Sequence, residues 1–256
     1  MVSDSSSSRA SVITVSVVSH GHDAWLRPLI SDLAQGAGGL VRRVVVTHNL
    51  PAAVPLGLDD LPFELLEIHN PQPLGFGANH NEAFAHADTP YFCVLNPDMR
   101  LRDPGLWAQM LAAVQQPGVG AVTATLLNPD GSVQDNQRAL VTPWSLVRRR
   151  LLRRPERRVD WLSASFLLLP APAYRAVKGF DPRFHMYCED VDLSLRLQLA
   201  GWRLARSTAT AEHHAQRESL RRWQPLVWHV HSLLRLWCGV AFWRYQMQQL
   251  FVRGQR

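Results

Sequence analysis

The strongest constraint on the fold is the order in which short apolar runs alternate with helical periodicity. Val12–Val18 (VITVSVV) is rich in β-branched residues and ends at Ser19-His20-Gly21, the pattern of a strand closed by a turn. Trp25–Leu33 then places Trp25, Leu26, Leu29, Ile30 and Leu33 on one side of a helix. Arg43–Thr47 and Glu64–Ile68 read as a second and third strand, Asn79–Ala87 as a helix, and Tyr91–Leu95 as a fourth strand cut by Asn96-Pro97-Asp98. Leu106–Val114 continues as a helix and Val119–Leu126 as a strand. Such alternation predicts an α/β fold, a mostly parallel doubly wound sheet with helices on both faces. Ligands of such sheets sit beyond the carboxyl ends of the strands, so the turns after Val18, Thr47 and Leu95 are the places to look.

The second half is less regular. Asn128–Asp160 is a Pro-, Arg- and Gln-bearing stretch; Ser165–Leu169 resumes as a strand, and Asp190–Ala200 is a helix closed by Gly201. Leu233–Trp243 is apolar except for Arg235 but far shorter than the ~20 residues of a membrane span, which leaves a packing helix or an interfacial one. The expected division is a Ser-rich disordered tail at 1–10, an α/β domain at 11–219 and a C-terminal helical extension at 220–256. The opening residues lack the charged-then-apolar pattern of a secretory signal. Cys93, Cys188 and Cys238 are too few and too scattered for a disulfide framework or a zinc knuckle, and a reducing, cytoplasmic setting is expected.

The net charge of +6 has a location. Arg148–Arg158 holds seven arginines and one glutamate and so accounts for the whole excess. A run of this kind suits an anionic partner, either a membrane surface or a pyrophosphate, although a solvated loop has the same composition. No nucleic-acid motif or alternating aromatic-basic strand accompanies it, so a nucleic-acid partner is not expected.

Three features carry possible chemistry: Asn96-Pro97-Asp98 after a strand, Glu189-Asp190 at a helix start, and His213-His214. Each has a plain structural reading, as turn residues, as complements to a helix dipole, and as a surface or core histidine pair. In combination they suit displacement of a diphosphate. Asp98 offers a hard oxygen ligand for Mg²⁺ or Mn²⁺, His213 can add an imidazole ligand, and Asp190 can take a proton from an acceptor hydroxyl.

Leu74–Asp98 (LGFGANHNEAFAHADTPYFCVLNPD) and Gly179–Gly201 (GFDPRFHMYCEDVDLSLRLQLAG) resemble glycosyltransferase family 2, in its bacterial rhamnosyltransferase-like branch. Asp160–Leu169, His213–Ser219 and Trp228–Leu236 do so as well, and the resemblance runs from about Val12 to Leu236. It implies a GT-A fold and inverting transfer of a sugar, a deoxyhexose such as L-rhamnose being one candidate, from a nucleotide diphosphate donor. The expected acceptor is a cell-surface polysaccharide or a lipid-linked glycan, and the arginine run with the Trp- and Arg-rich tail suggests a peripheral protein at the inner face of the membrane. By the same resemblance Asp98 corresponds to the retained aspartate of an Asp-x-Asp metal site, Asp190 to the catalytic base and His213 to a histidine near the metal and diphosphate. His48 and Asn49 fall where the family contacts the nucleobase, Gly75 and Asn81 beside the nucleotide, and Asn96 at the first position of Asp-x-Asp. Departures are Asn96 and His48 in place of aspartates, Ser19-His20-Gly21 for Tyr-Asn, Pro73 for Asn, and Ala164-Ser165 for Gly-Ala. The alternative that the His48 and Ala164 departures leave open is a catalytically inactive nucleotide-sugar-binding partner in a polysaccharide assembly complex.

Overall fold

The structure is a computed structural model that describes residues 11–37, 39–50, 54–143, 158–214 and 223–254. Its strands are β1 (Ile13–Ser19), β2 (Val41–His48), β3 (Glu64–His69), β4 (Tyr91–Leu95), β5 (Met99–Arg100), β6 (Val119–Leu127), β7 (Gln137–Arg138), β8 (Trp161–Leu162), β9 (Phe166–Pro170) and β10 (Arg203–His213). Its helices are α1 (Asp23–Gly36), α2 (Phe76–Ala85), α3 (Leu106–Val114), α4 (Ala171–Ala176), α5 (Glu189–Leu199), α6 (Trp223–Trp237) and α7 (Val240–Gly254).

Eight strands form one sheet in the order β3-β2-β1-β4-β9-β6-β10-β5. The pairings β3–β2, β2–β1, β1–β4 and β6–β10 are parallel, while β9 runs antiparallel between β4 and β6, and β5 antiparallel to β10. Successive side chains of a strand point to opposite faces, and β2 shows this directly. Val44 and Val46 belong to the core that holds Leu26, Leu29, Ile30 and Leu33 of α1 with Trp107 and Met110 of α3. Val45 faces the opposite core, with Ala83 of α2, Tyr174 of α4 and Leu193 and Leu197 of α5. Both faces of the sheet are therefore covered, as the uninterrupted apolar runs require.

Two expectations are refined. The apolar run Leu233–Trp243 is not one helix: α6 ends at Trp237 and α7 begins at Val240, with a turn at Cys238-Gly239. A side chain at Gly239 would meet the Leu236 carbonyl oxygen at 3.0 Å, so the turn suits glycine. The two helices pack on α5 through a third apolar cluster, where Leu233, Leu236, Phe242 and Tyr245 meet Phe184, Val191 and Leu195. Arg148–Arg158 lies outside the described residues except for Arg158, whose guanidinium is 2.5 Å from Asp160 and stands over the Tyr245 ring of α7.

Candidate active site

A cleft of 520 Å³ opens at the carboxyl ends of β1 and β4, and Asn49, Asn96, Asp98 and Asp190 all contribute to its wall. Asn96-Pro97-Asp98 ends β4 because proline cannot donate to a continuing ladder. The backbone of Asn96 is fastened to the Ser165 carbonyl at 2.8 Å. The chain then re-enters the sheet as β5, whose Met99 pairs with His213 on β10, and His214 N–H donates to the Asp98 carbonyl at 2.9 Å. This short ladder brings two residues far apart in sequence together: His213 Nε2 lies 3.3 Å from Asp98 Oδ1, and both side chains are buried.

Gln134 fixes the chemistry of that pair. Its Nε2 donates to the His213 carbonyl at 2.8 Å and to Asn128 Oδ1 at 2.9 Å, which uses both amide hydrogens. Its Oε1 is then an acceptor, so the 2.9 Å contact with His213 Nδ1 is an Nδ1–H donation. A neutral His213 consequently turns an Nε2 lone pair toward the Asp98 carboxylate. Two acceptors face each other at 3.3 Å, an arrangement that a proton or a hard cation between them satisfies. Burial works against ionisation of Asp98, but when Nε2 carries a proton toward it, that donation, the residue's own backbone and His22 outweigh burial and hold the carboxyl below its usual value. The gap between the Asp98 carboxylate and His213 Nε2 can hold either that proton or, when the proton leaves, a divalent cation of the Mg²⁺ or Mn²⁺ kind.

Across the cleft stand Glu189 and Asp190, the first residues of α5. Tyr187 and Cys188 just before them have φ of 73° and 63°, the left-handed region that non-glycine residues adopt at a cost of about 1–3 kcal/mol each. The turn is held from α6, where Ser232 Oγ donates to the Met186 carbonyl at 2.8 Å and His229 meets the Tyr187 ring edge-on. Asp190 accepts from Val191 N–H at 2.8 Å and more weakly from Ala164 N–H at 3.4 Å, so Ala164 contributes its backbone to the site. Burial pushes the Asp190 carboxyl up. Glu189 is raised too, by burial first and by the Asp190 charge second, and its Oε2 is buried with no hydrogen-bond partner. A carboxylate whose proton affinity is raised in this way is the stronger proton acceptor once ionised.

The other sequence-derived residues lie differently. Asn49 reaches the cleft wall, but its side chain is engaged: Oδ1 accepts from Leu74 N–H and Asn70 Nδ2, both at 2.8 Å, and Nδ2 donates to the Leu74 carbonyl at 2.9 Å. His48, Gly75 and Asn81 do not line this cleft. Asn81 is a fastener between α2 and the Gly179-Phe180 turn, accepting from Tyr174 Oη at 2.6 Å and Phe180 N–H at 2.9 Å. Gly75 lies where α2 abuts the chain opposite it, and a Cβ there would come within 2.9 Å of the His185 carbonyl oxygen. His48 is buried, bonded to Glu67 at 2.7 Å and stacked on His69 at 4.5 Å. Ligand atoms of His48, Glu67 and His69 lie within 4.8 Å of one another. The two rings are only 12° from parallel, so their in-plane lone pairs run side by side instead of converging on one ion.

Residues missed from the sequence include Gln134, Arg138 and Trp161, and Trp228 and His229 of α6. Arg138 stands 5.7 Å over the Trp161 ring and lines the cleft near Asp190. The Asn-Pro-Asp-Gly-Ser turn at 128–132 signalled a reversal, but nothing local linked Gln134 to a histidine 79 residues away.

A doubly covered sheet, with an Asp–His pair at its strand ends opposite a buried Glu–Asp pair, defines the GT-A class of glycosyltransferase folds. Solved structures agree on the fold. A mannosyltransferase from Pyrobaculum calidifontis, solved with GDP-Man and Mn²⁺, superposes with a TM-score of 0.60 at 14% identity over 88% of this chain and 65% of that one. Staphylococcus aureus TarS 1–349 in complex with UDP-GlcNAc gives 0.60 at 13% identity over 80% and 59%. The chain belongs to the glycosyltransferase-like family 2, which it matches over residues 13–232. Within that family it is 26% identical to the rhamnosyltransferase WbbL of Escherichia coli over 88% of this chain and 92% of WbbL. It is also 37% identical over 127 residues to the N-acetylglucosaminyl-diphospho-decaprenol L-rhamnosyltransferase of Mycobacterium tuberculosis. That alignment takes in 43% of this chain and spans 41% of the relative's length.

Proposed function

We propose that the protein is a metal-dependent, inverting glycosyltransferase that moves a sugar, L-rhamnose or a related deoxyhexose, from a nucleotide diphosphate onto a glycan or lipid-linked acceptor. The observation that carries this reading is that one cleft is lined by Asp98, which His213 and Gln134 back from behind, and by the Glu189–Asp190 pair. Asp98 and His213 would hold a Mg²⁺ or Mn²⁺ ion. When bound, such an ion stabilises the negative charge that collects on the departing nucleoside diphosphate. Asp190 takes the proton from the acceptor hydroxyl as that oxygen attacks the anomeric carbon from the face opposite the leaving group, so configuration inverts. Asn96 and the strand-end turn bearing His48 and Asn49 belong to the donor side in this reading, with Gly75 and Asn81 shaping the loop and helix beside it. Trp161, Trp228 and His229 wall the acceptor side. The catalytic domain is taken as 11–219, and the extension at 220–256 completes the cleft through α6.

The same reading places the protein at the inner face of a membrane, in the cytoplasm. No helix among the described residues is long and apolar enough to cross a membrane. The named relatives include one that acts on a diphospho-decaprenol substrate, and the arginines of 148–158 would supply attraction to anionic headgroups. Incubating the pure protein with dTDP-L-rhamnose and other nucleotide sugars, with and without Mn²⁺, tests the activity. Metal-dependent release of nucleoside diphosphate supports transfer, whereas donor binding without release points to the inactive partner. NMR of the product's anomeric signal reports inversion.

A further inference from the structure

On the far side of the 181–188 turn lies a second and larger cavity of 820 Å³, walled by α5, by the segment leading into it and by the α6–α7 junction. Four arginines line it: Arg183, Arg196, Arg235 and Arg244. The first two are matched, Arg183 to Asp181 at 2.6 Å and Arg196 to Asp192 at 2.7 Å. Arg235 and Arg244 have no carboxylate partner among the described residues. Residues 220–256 contain six arginines and no aspartate or glutamate. Arg235 and Arg244, from different helices, therefore bring positive charge with no carboxylate against it to one cavity, which suits an anionic occupant. Guanidinium forks match phosphate oxygens in geometry as well as charge.

The rim indicates what carries that phosphate. Leu234 and Val240 line the same cavity, yet they are 54% and 73% exposed. Exposed apolar side chains continue along both helices, Leu226, Val230 and Leu234 on α6 and Trp243, Met247 and Leu250 on α7, at helical spacing opposite the buried Leu233, Leu236 and Tyr245. Nine of the thirteen large exposed apolar side chains among the described residues lie on these two helices, so the patch is concentrated around this cavity. A soluble phosphate has no use for such a rim. We propose that the cavity is a phospholipid headgroup site, with Arg235 and Arg244 binding the phosphate of an anionic lipid. The apolar faces of α6 and α7 enter the outer acyl region beside it. The proposal rests on the membrane reading above and adds the seat and the class of lipid. Because α6 also walls the catalytic cleft, lipid seated there would lie next to the acceptor side.

The full chain is sedimented with vesicles of phosphatidylcholine alone or mixed with phosphatidylglycerol, comparing wild type, Arg235→Gln/Arg244→Gln and a charge-matched control, Arg175→Gln/Arg206→Gln. The cavity pair should weaken binding to the anionic vesicles by about thirtyfold, the loss of two basic residues at the surface, and the control pair should leave it unchanged. Far-UV circular dichroism and melting temperature establish that each variant is folded. Equal binding by the cavity variant and wild type, or equal weakening by the control pair, overturns the proposal. So does wild-type binding of inorganic phosphate alone that the cavity variant loses, since the cavity would then serve a soluble anion. Nucleoside diphosphate release is measured without vesicles in parallel. Its absence from wild type would overturn the proposed activity and leave the vesicle comparison to decide the headgroup site.

Discussion

Replacing Gln134 with leucine tests whether the structure pre-sets its own metal site. Leucine has nearly the volume of glutamine but removes the acceptor at 2.9 Å from His213 Nδ1 and the donor at 2.8 Å from the His213 carbonyl. The imidazole is then free to place its proton on Nε2, where it hydrogen-bonds to Asp98 and competes with a cation. Losing the partner that orients a histidine ligand costs roughly 10–100-fold in metal affinity, or about 1.4–2.7 kcal/mol. Separately, each lost hydrogen bond destabilises the fold by about 0.5–1.5 kcal/mol whether or not metal is present. Mn²⁺ titration by calorimetry, or by the electron paramagnetic resonance of the free ion, measures the first effect, and melting in chelator measures the second. Gln134→Glu supplies the control: its carboxylate still accepts Nδ1–H and should retain most of the Mn²⁺ affinity while losing the bond to the His213 carbonyl. If leucine leaves Mn²⁺ affinity at the wild-type value, or if leucine and glutamate lower it equally, Gln134 does not act through the His213 tautomer and its bonds are only structural.

Asp190→Asn should retain donor and metal binding while lowering turnover by the ~10²-fold or more that loss of a general base costs, and near-normal turnover would move the base to Glu189 or Asp192. Asp98→Ala should abolish metal-dependent donor binding and Asn96→Ala should harm it less, as thermal shifts with nucleoside diphosphate and Mn²⁺ would report; full activity in excess chelator removes the metal role from Asp98 and His213 alike. Because burial raises the Asp190 carboxyl and the base must be ionised to act, kcat should climb with pH through a midpoint above the ordinary aspartate value of ~3.9; a midpoint at or below that value contradicts the assignment. Glu189 is likewise raised in the folded state, so its contribution to stability is present below its unfolded value of ~4.3 and is lost as pH rises through the folded value. Glu189→Gln should therefore raise the melting temperature at neutral pH, with the gain shrinking in acid, and a gain independent of pH would show that the charge is not its source.

What was legible in the sequence was what neighbours along the chain determine. The β-branched run of β1, the apolar stripe of α1 and the proline that ends β4 each declare themselves within a few residues, and they place the cleft at the strand ends. What was not legible depends on pairing across distance. Nothing in FLLLP marks β9 as antiparallel between two strands that both run the other way, because an apolar strand buried on both faces looks the same in either direction. The motif residues divide on the same principle. Asp98 and Asp190 line the cleft, whereas Asn81 and Gly75, equally prominent in the sequence, serve close contact between α2 and the turns at Gly179-Phe180 and His185. A side chain spent on fixing backbone and one turned toward a ligand have the same signature in a single sequence. Only the partners distinguish them: Asn81 Oδ1 already accepts two hydrogen bonds, while Asp98 Oδ1 is buried and accepts none from the surrounding backbone. Unmet hydrogen-bonding capacity in a buried group is therefore the better guide to where a ligand goes. Among the described residues it marks Asp98 Oδ1 and Glu189 Oε2, on two residues that line the catalytic cleft, but also core atoms such as His80 Nε2 and Trp107 Nε1, so it guides only where a cleft accompanies it.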